Sequence, residues 1–338
     1  SVLSEIPSAW RQSVSRLSRA ARSFRRPLDG EPAPSRNDEY LFYQTLVGTW
    51  PLAPMDDNAL AAYRERMRAY MIKAARESKQ RTSWISIDQA YETALAEFVE
   101  GLLRSRERNP FVAEIEALTQ RVGWLGMLNS LSAVLLKFAS PGVADLYQGH
   151  ELWNLTLVDP DNRGAVDFAG RAALLERLRA ELGEDAPDLA ARARALLDQP
   201  EDGALKLYLT WRLLQWRARL PAVFQGGAYL PVKAEGERQD HVVAFARQHG
   251  EHTVIAVAPR LMNRLAPGPR DLPLGEPARK DTAIDRTPVG ESGQLRNALT
   301  GERLAAADRG GRALLPVAAI LGAFPVALLY RAENGEKG

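Results

Sequence analysis

The sequence predicts a mixed α and β chain. A long helical region comes first, a single strand-loop-helix unit follows, and an antiparallel β region closes. Three observations carry this. Apolar residues recur at helical spacing from Tyr40 to Phe138, and strand-like runs replace helices only after Pro221. Between them, Val143-Ala-Asp-Leu-Tyr147 stands alone as a short apolar run behind Pro141-Gly142.

The elements follow in order. Arg11, Arg16, Arg19, Arg22, Arg25 and Arg26 recur at roughly helical spacing beside a sparse apolar face of Trp10, Val14, Leu17 and Phe24. Such a stripe is either a polyanion-binding helix or a solvated basic face. Aromatic interleaving is thin, so the solvated face is expected and nucleic acid is not. Ser35 with Asp38 resembles a capping box. It opens a helix carrying Tyr40, Tyr43, Val47 and Trp50, with Tyr40 and Tyr43 expected in the core, and Pro51 and Pro54 end it. Leu60, Tyr63, Met67, Tyr70, Met71 and Ala74 mark a long amphipathic helix. Ser86 and Gln89 read as a second capping box ahead of Tyr91, Ala94, Leu95, Phe98 and Leu102. Asn109-Pro110 supplies an N-cap and a proline at the first helical position. The stripe of Phe111, Ile115, Leu118, Val122 and Leu125 then runs into a stretch from Leu128 to Phe138 that is apolar on most faces and expected to be buried.

Val143 to Tyr147 suits a buried strand. A lone parallel-type strand forms no sheet, so its partners are expected outside this chain. Helical patterns resume at roughly 168–182, 186–198 and 203–219, the last with Trp211 and Trp216 as core. Val242–Ala246 and Thr253–Val257 flank a Gly-containing loop and read as a hairpin. Residues 263–293 look like a long loop, and Val317 to Tyr330 closes the β region.

Composition narrows the function classes. A length of 338 residues suggests about two domains. A net charge of +2 exerts no strong pull toward nucleic acid, membranes or acidic substrates. The absence of cysteine excludes disulfides, thiolate nucleophiles and Cys-based zinc sites and fits a reducing, cytoplasmic setting. No stretch reaches about 18 consecutive apolar residues, so no membrane span is expected. Ser1-Val-Leu-Ser-Glu reads as a chain entered mid-domain.

Chemistry concentrates after the lone strand. A strand, loop and helix in this order make one βα unit, and in a (β/α)8 barrel the site forms at the C-terminal ends of the strands. Gln148, Glu151, Asp159, Asp161, Asn162 and Arg163 would line that face. Sugars need paired donors and acceptors from planar polar side chains, and rings for their C–H faces, which Tyr147 and Trp153 offer. The spacing of Asp159-Pro-Asp-Asn fits equally an Asx-rich turn bridged by Arg163. Trp84, in a short Thr-Ser-Trp link between helices, reads either as a ligand-facing ring or as packing. No metal-ligand cluster, phosphate loop or serine-nucleophile elbow stands out.

Pro141-Gly-Val-Ala-Asp-Leu-Tyr-Gln-Gly-His-Glu151 resembles the eighth-strand motif of the α-amylase superfamily. Other stretches extend the resemblance toward the maltooligosyl trehalose synthases. These are Arg36-Asn-Asp-Glu-Tyr-Leu-Phe-Tyr-Gln-Thr-Leu46, Lys73-Ala-Ala-Arg-Glu-Ser-Lys79, Thr82-Ser-Trp84, Leu128-Asn-Ser-Leu131 and Val158-Asp-Pro-Asp-Asn-Arg163. His150 stands where the family commonly has Thr or Asp. The resemblance implies a helical insertion subdomain with connecting helices (1–139), the last βα unit of a (β/α)8 barrel (140–221), a C-terminal antiparallel β-sandwich (222–331) and a disordered tail (332–338). It implies a glucosylmutase that turns the reducing-end α-1,4 link of a maltooligosaccharide into an α,α-1,1 link by retaining double displacement. The three family carboxylates are expected upstream of Ser1, so no catalytic residue, cofactor or metal ligand is assigned here. The expected partners are a maltooligosaccharide and the N-terminal barrel portion of the same enzyme. The residues assigned to substrate are Gln148, Glu151, Trp153, Asp159, Asp161, Asn162, Arg163 and Trp84. A non-catalytic maltooligosaccharide-binding module is the alternative.

Overall fold

The computed structural model describes residues 1–290, 294–308 and 310–331. The expected tail at 332–338 and the end of the expected 263–293 loop lie outside the described residues. The chain divides into two compact units. A helical unit holds residues 3–124 and 155–165, and a sheet-containing unit holds 1–2, 125–154 and 166–338.

The helical unit is built from Pro7–Ala20, Arg36–Thr49, Asp57–Ser78, Gln89–Leu102 and the first half of Pro110–Ala139. Each buries one apolar stripe, as helical periodicity requires. Leu17, Phe42, Leu46, Met67, Met71 and Phe98 are fully enclosed. Phe42 stacks on Phe111 at 6.1 Å and meets Phe98 edge-on at 5.7 Å. Ser35 Oγ accepts from the Asp38 N–H at 3.2 Å, and Asn109 Oδ1 from the N–H groups of Phe111 and Val112 at 3.1 and 3.2 Å. The second cap differs from expectation. Asp88, not Ser86, caps Gln89–Leu102, accepting from the Tyr91 N–H at 2.9 Å. Asp88 borders the first helical residue, and its carboxylate serves an orphan N–H at least as well as a hydroxyl. Tyr43 and Trp50 are core, but Tyr40 is 41% exposed and accepts a 2.9 Å bond from Trp10 Nε1. Three arginines of the basic stripe make ion pairs within the unit, Arg16 with Glu114, Arg25 with Glu39 and Arg26 with Glu97.

Pro110–Ala139 is 30 residues long and, among the described residues, the one helix long and apolar enough to cross a membrane, a property that a buried core helix shares. Its polar breaks are too sparse to interrupt the helix. Phe111, Ile115, Leu128, Leu131 and Leu135 are all buried core residues.

The sheet-containing unit holds two antiparallel sheets. The six-stranded sheet runs Ala228–Pro231, Val242–His249, His252–Pro259, Ala327–Arg331, Leu295–Asn297, Arg303–Leu304. The four-stranded sheet runs Ala307–Asp308, Ala313–Pro316, Ala283–Asp285, Ala234–Glu235. Strand alternation explains why His252–Pro259 is buried on both faces. Val254, Ala256 and Ala258 face a core shared with the helices Phe168–Glu181 and Ala204–Arg219. Ile255 and Val257 face a second core that includes Ile284 and Leu315 of the other sheet. The expected hairpin forms, with His249 opposite His252 and Gly250 at φ 58° in a two-residue turn. Trp211 and Trp216 are core.

Two expectations are corrected. Val143 to Tyr147 forms no strand and is not buried: Val143 is 97% exposed and Tyr147 42%. A strand exists only through its ladder, and among the described residues nothing pairs with this segment. Only Ala144 packs against the helical core. The second correction concerns 263–290, which is not one loop. It contains Gly275–Arg279 and the strand Ala283–Asp285, whose buried Ala283 and Ile284 draw it into the four-stranded sheet.

Candidate functional site

The residues singled out from sequence fall into two groups, one in each unit. In the sheet-containing unit the loop after Tyr147 is a fixed turn. The His150 N–H donates to Tyr147 O at 3.0 Å, and Gly149 sits at φ 87°, a backbone conformation that favours glycine. Arg171, on the helix capped by Asp167, donates to Gly149 O at 3.2 Å and pairs with Glu151 at 3.3 Å. Gln148 is exposed. Trp153 is half-buried against the helical core, and its Nε1–H donates to Pro200 O at 2.5 Å.

Lys206 secures this loop from below. It is buried in the helix Ala204–Arg219, donates to Leu152 O at 3.0 Å, and sits 5.5 Å from the centre of the Trp153 ring. Burial, reinforced by Lys137 and opposed by Glu151, pushes its amine down to about 8. Burial, with Lys206 and Lys137, also holds His150 below its usual range.

In the helical unit, residues 155–163 are gripped by Asp57–Ser78. Arg66 is bidentate on Asp161 at 2.9 and 2.8 Å and also donates to Leu155 O at 3.2 Å. Asp161 accepts the Leu157 N–H at 2.7 Å as well. The Arg66 hydrogen bonds hold the Asp161 carboxyl below its usual range, against the penalty of burial. Lys73, two turns beyond Arg66, donates to Asp159 O. Arg163 pairs with Asp159 at 2.7 Å, so the Asx-rich turn bridged by Arg163 is present. Asn162 Oδ1 is buried and has no hydrogen-bond partner. Trp84 is 55% exposed, with the Arg76 guanidinium over its ring at 4.8 Å.

Arg66, Arg171 and Lys206 were not singled out from sequence. Lys206 carried a readable signal, a lone cation in the otherwise apolar run Leu205 to Leu209. Arg66 and Lys73 share a helix face by spacing, but their targets lie far along the chain. Among the described residues, no group of three or more His, Asp or Glu side chains is placed to hold a metal ion.

No family model matches the sequence. Its homologues are trehalose-forming synthases. A Mycobacterium tuberculosis protein, provisionally named a maltooligosyl trehalose synthase, is 33% identical over 256 residues, which is 76% of this chain and 28% of that protein. The maltooligosyltrehalose synthase structure from Arthrobacter ramosus matches at 33% identity and a TM-score of 0.71, covering 98% of this chain and 36% of that one. Another maltooligosyl trehalose synthase structure matches at 27% identity and a TM-score of 0.68, with 98% and 37% coverage. The chain is thus a homologue of the maltooligosyl trehalose synthases and spans about a third of the length of the relatives it matches.

Proposed function

We propose that the chain forms part of a (1→4)-α-D-glucan 1-α-D-glucosylmutase, acting in the cytoplasm to convert the reducing-end α-1,4 link of a maltooligosaccharide to an α,α-1,1 link. The observation that carries this reading is the structural match to a maltooligosyltrehalose synthase over 98% of the chain at 33% identity. In a retaining double displacement one carboxylate attacks the anomeric carbon. A second carboxyl with a raised pKa protonates the leaving oxygen, and later acts as base when the freed glucose returns through its own anomeric hydroxyl.

The candidate carboxylates here are poorly suited to the general acid's role, because each is paired with an arginine that favours its ionised form. Asp161 is held below its usual range by Arg66, the reverse of what a general acid needs. Asp159 and Glu151 are paired with Arg163 and Arg171. We therefore assign catalysis to carboxylates elsewhere in the longer protein and substrate contact to this chain. The sheet-containing unit would contribute Gln148, Glu151 and Trp153, and the helical unit Asp159, Asp161, Asn162, Arg163 and Trp84. Residues 1–139 would be the helical insertion, 140–221 the end of a (β/α)8 barrel with Val143 to Tyr147 as its last strand, and 222–331 a β-sandwich.

Incubated alone with maltopentaose, the chain is expected to consume no reducing ends. Mixed with the separately expressed N-terminal portion of its own longer protein, it is expected to form a non-reducing, trehalose-capped product. Turnover by the chain alone would contradict the placement of the carboxylates, and a different product from the pair would contradict the assigned reaction.

A further inference from the structure

We propose that the outward face of the Trp84 indole is a stacking subsite for one glucosyl unit of an α-1,4-glucan, with Arg76, Glu92 and Thr82 as its positioning residues. The ligand class rests on the function proposed above. The site itself rests on the geometry of the helical unit.

The arrangement is built from the inside outward. Glu92 is 4% exposed on the helix Gln89–Leu102, where a lone carboxylate would be costly to bury. Three donors satisfy it. Arg76 binds it bidentately at 2.8 and 2.6 Å, and the Thr82 hydroxyl donates at 2.7 Å. Thr82 is itself buried, and its Oγ1 accepts the Asp88 N–H at 3.1 Å. The guanidinium is therefore fixed in place, and its Cζ lies over the Trp84 ring, 4.8 Å from the ring centre. Next to Trp84 the chain closes on itself. The Ser83 N–H donates to Ser86 O at 2.9 Å and the Ser86 N–H to Ser83 Oγ at 2.9 Å, which leaves Trp84 and Ile85 at the tip.

This rigid support presents apolar surface to water. Trp84 is 55% exposed, Ile85 fully exposed and Ile87 52%. Contiguous exposed apolar groups on an otherwise well-packed unit mark a contact surface. The chemistry of the ring selects the contact. One face is covered by a cation, so a second cation on the other face would meet its repulsion. An uncharged C–H face meets none. A pyranose offers such a face with hydroxyls around its rim, and Arg76 Nη1, which makes none of the bonds to Glu92, can donate to one of them. An exposed ring already held in place loses little conformational freedom on binding.

The test is a titration of the full chain with maltopentaose, followed by calorimetry and by the indole N–H resonances. The Trp84 signal is identified as the one lost in Trp84→Phe. The Trp84 resonance is expected to shift on titration. Trp84→Phe should weaken binding a few-fold and Trp84→Ala at least tenfold. Arg76→Lys keeps the charge but loses the bidentate support. It should weaken binding while leaving the far-ultraviolet circular dichroism and the dispersion of the other six indoles unchanged. Maltopentaose affinity unaltered in Trp84→Ala would overturn the proposal, as would binding that moves only other indoles or no detectable binding. Such a result would leave the reaction assignment standing, because that depends on the product formed with the N-terminal portion. A wrong product with an intact Trp84 response would sink the reaction and keep the subsite.

Discussion

Arg247→Ala is expected to lower the unfolding free energy of the sheet-containing unit by about 4 kcal/mol, read from urea unfolding. Arg247 lies in the strand Val242–His249 and is 1% exposed. Its Nη1 donates to Ala139 O at 3.2 Å and its Nη2 to Gly227 O at 2.8 Å. Ala139 is the last residue of the 30-residue helix, where unpaired carbonyls and the negative end of the helix dipole attract a cation. Arg217 serves the same helix end, donating to Phe138 O at 2.5 Å and Gly142 O at 3.2 Å. Burial, and then repulsion from Arg217, hold the Arg247 pKa below its usual value, but the group remains charged at neutral pH. Alanine would leave two buried carbonyls without their donors and an empty volume the length of the arginine arm. Arg247→Met fills most of that volume and is expected to recover about half of the loss. Equal costs for the two variants would mean that volume contributes nothing and the hydrogen bonds everything.

Lys206→Met is expected to act in the opposite direction at neutral pH, raising stability by about 2 kcal/mol. Lys206 is charged at pH 7 in both states, but the folded state holds that charge in a buried position close to Lys137. The sign follows from linkage. The folded amine titrates at about 8 and the unfolded one at its ordinary value of 10.5, so between these the unfolded chain binds more protons. Wild-type stability therefore gains from Lys206 as pH rises through that window, and below about 8 the full cost of the buried charge remains. The methionine variant carries no such term. Its advantage should be present in full at pH 7, above the range in which His150 responds to the loss of Lys206, and shrink toward zero by pH 10. Comparing the two proteins at each pH cancels the tyrosines, which also begin to titrate there. An advantage that persisted at pH 10 would show that the gain comes from packing and not from charge. The same substitution removes the donor to Leu152 O beneath Trp153, so glucan affinity is expected to fall while stability rises.

What could be read from the sequence was mainly local. Ser35 and Asn109 announced their helices because a cap and its N–H lie within three residues. The hairpin around Gly250 was legible for the same reason. Asp88 was overlooked in favour of Ser86 because both precede the same apolar stripe, and only the backbone path decides between them. The strand Ala283–Asp285 was hidden inside a Pro- and Gly-rich stretch, because it is stabilised by Ala313–Pro316, some 30 residues away. Candidate residues such as Asp159, Asp161 and Trp84 stood out by type. The groups that fix them did not. Arg66 reaches Asp161 across 95 positions, and Arg76 gains its rigidity from Glu92, which reads as an ordinary helical residue. Val143 to Tyr147 is the reverse case: its apolar pattern is plain, but among the described residues nothing pairs with it and it forms no strand.

That segment offers the sharpest test. Hydrogen exchange of the backbone N–H groups from Val143 to Tyr147 should be followed in the chain alone and after addition of the N-terminal portion of the longer protein. Exchange close to that of an unstructured peptide in the chain alone, with strong protection of successive N–H groups in the pair as a barrel strand flanked on both sides requires, is the expected result. Protection already present in the isolated chain, or no gain of protection in an enzymatically active pair, would contradict the account.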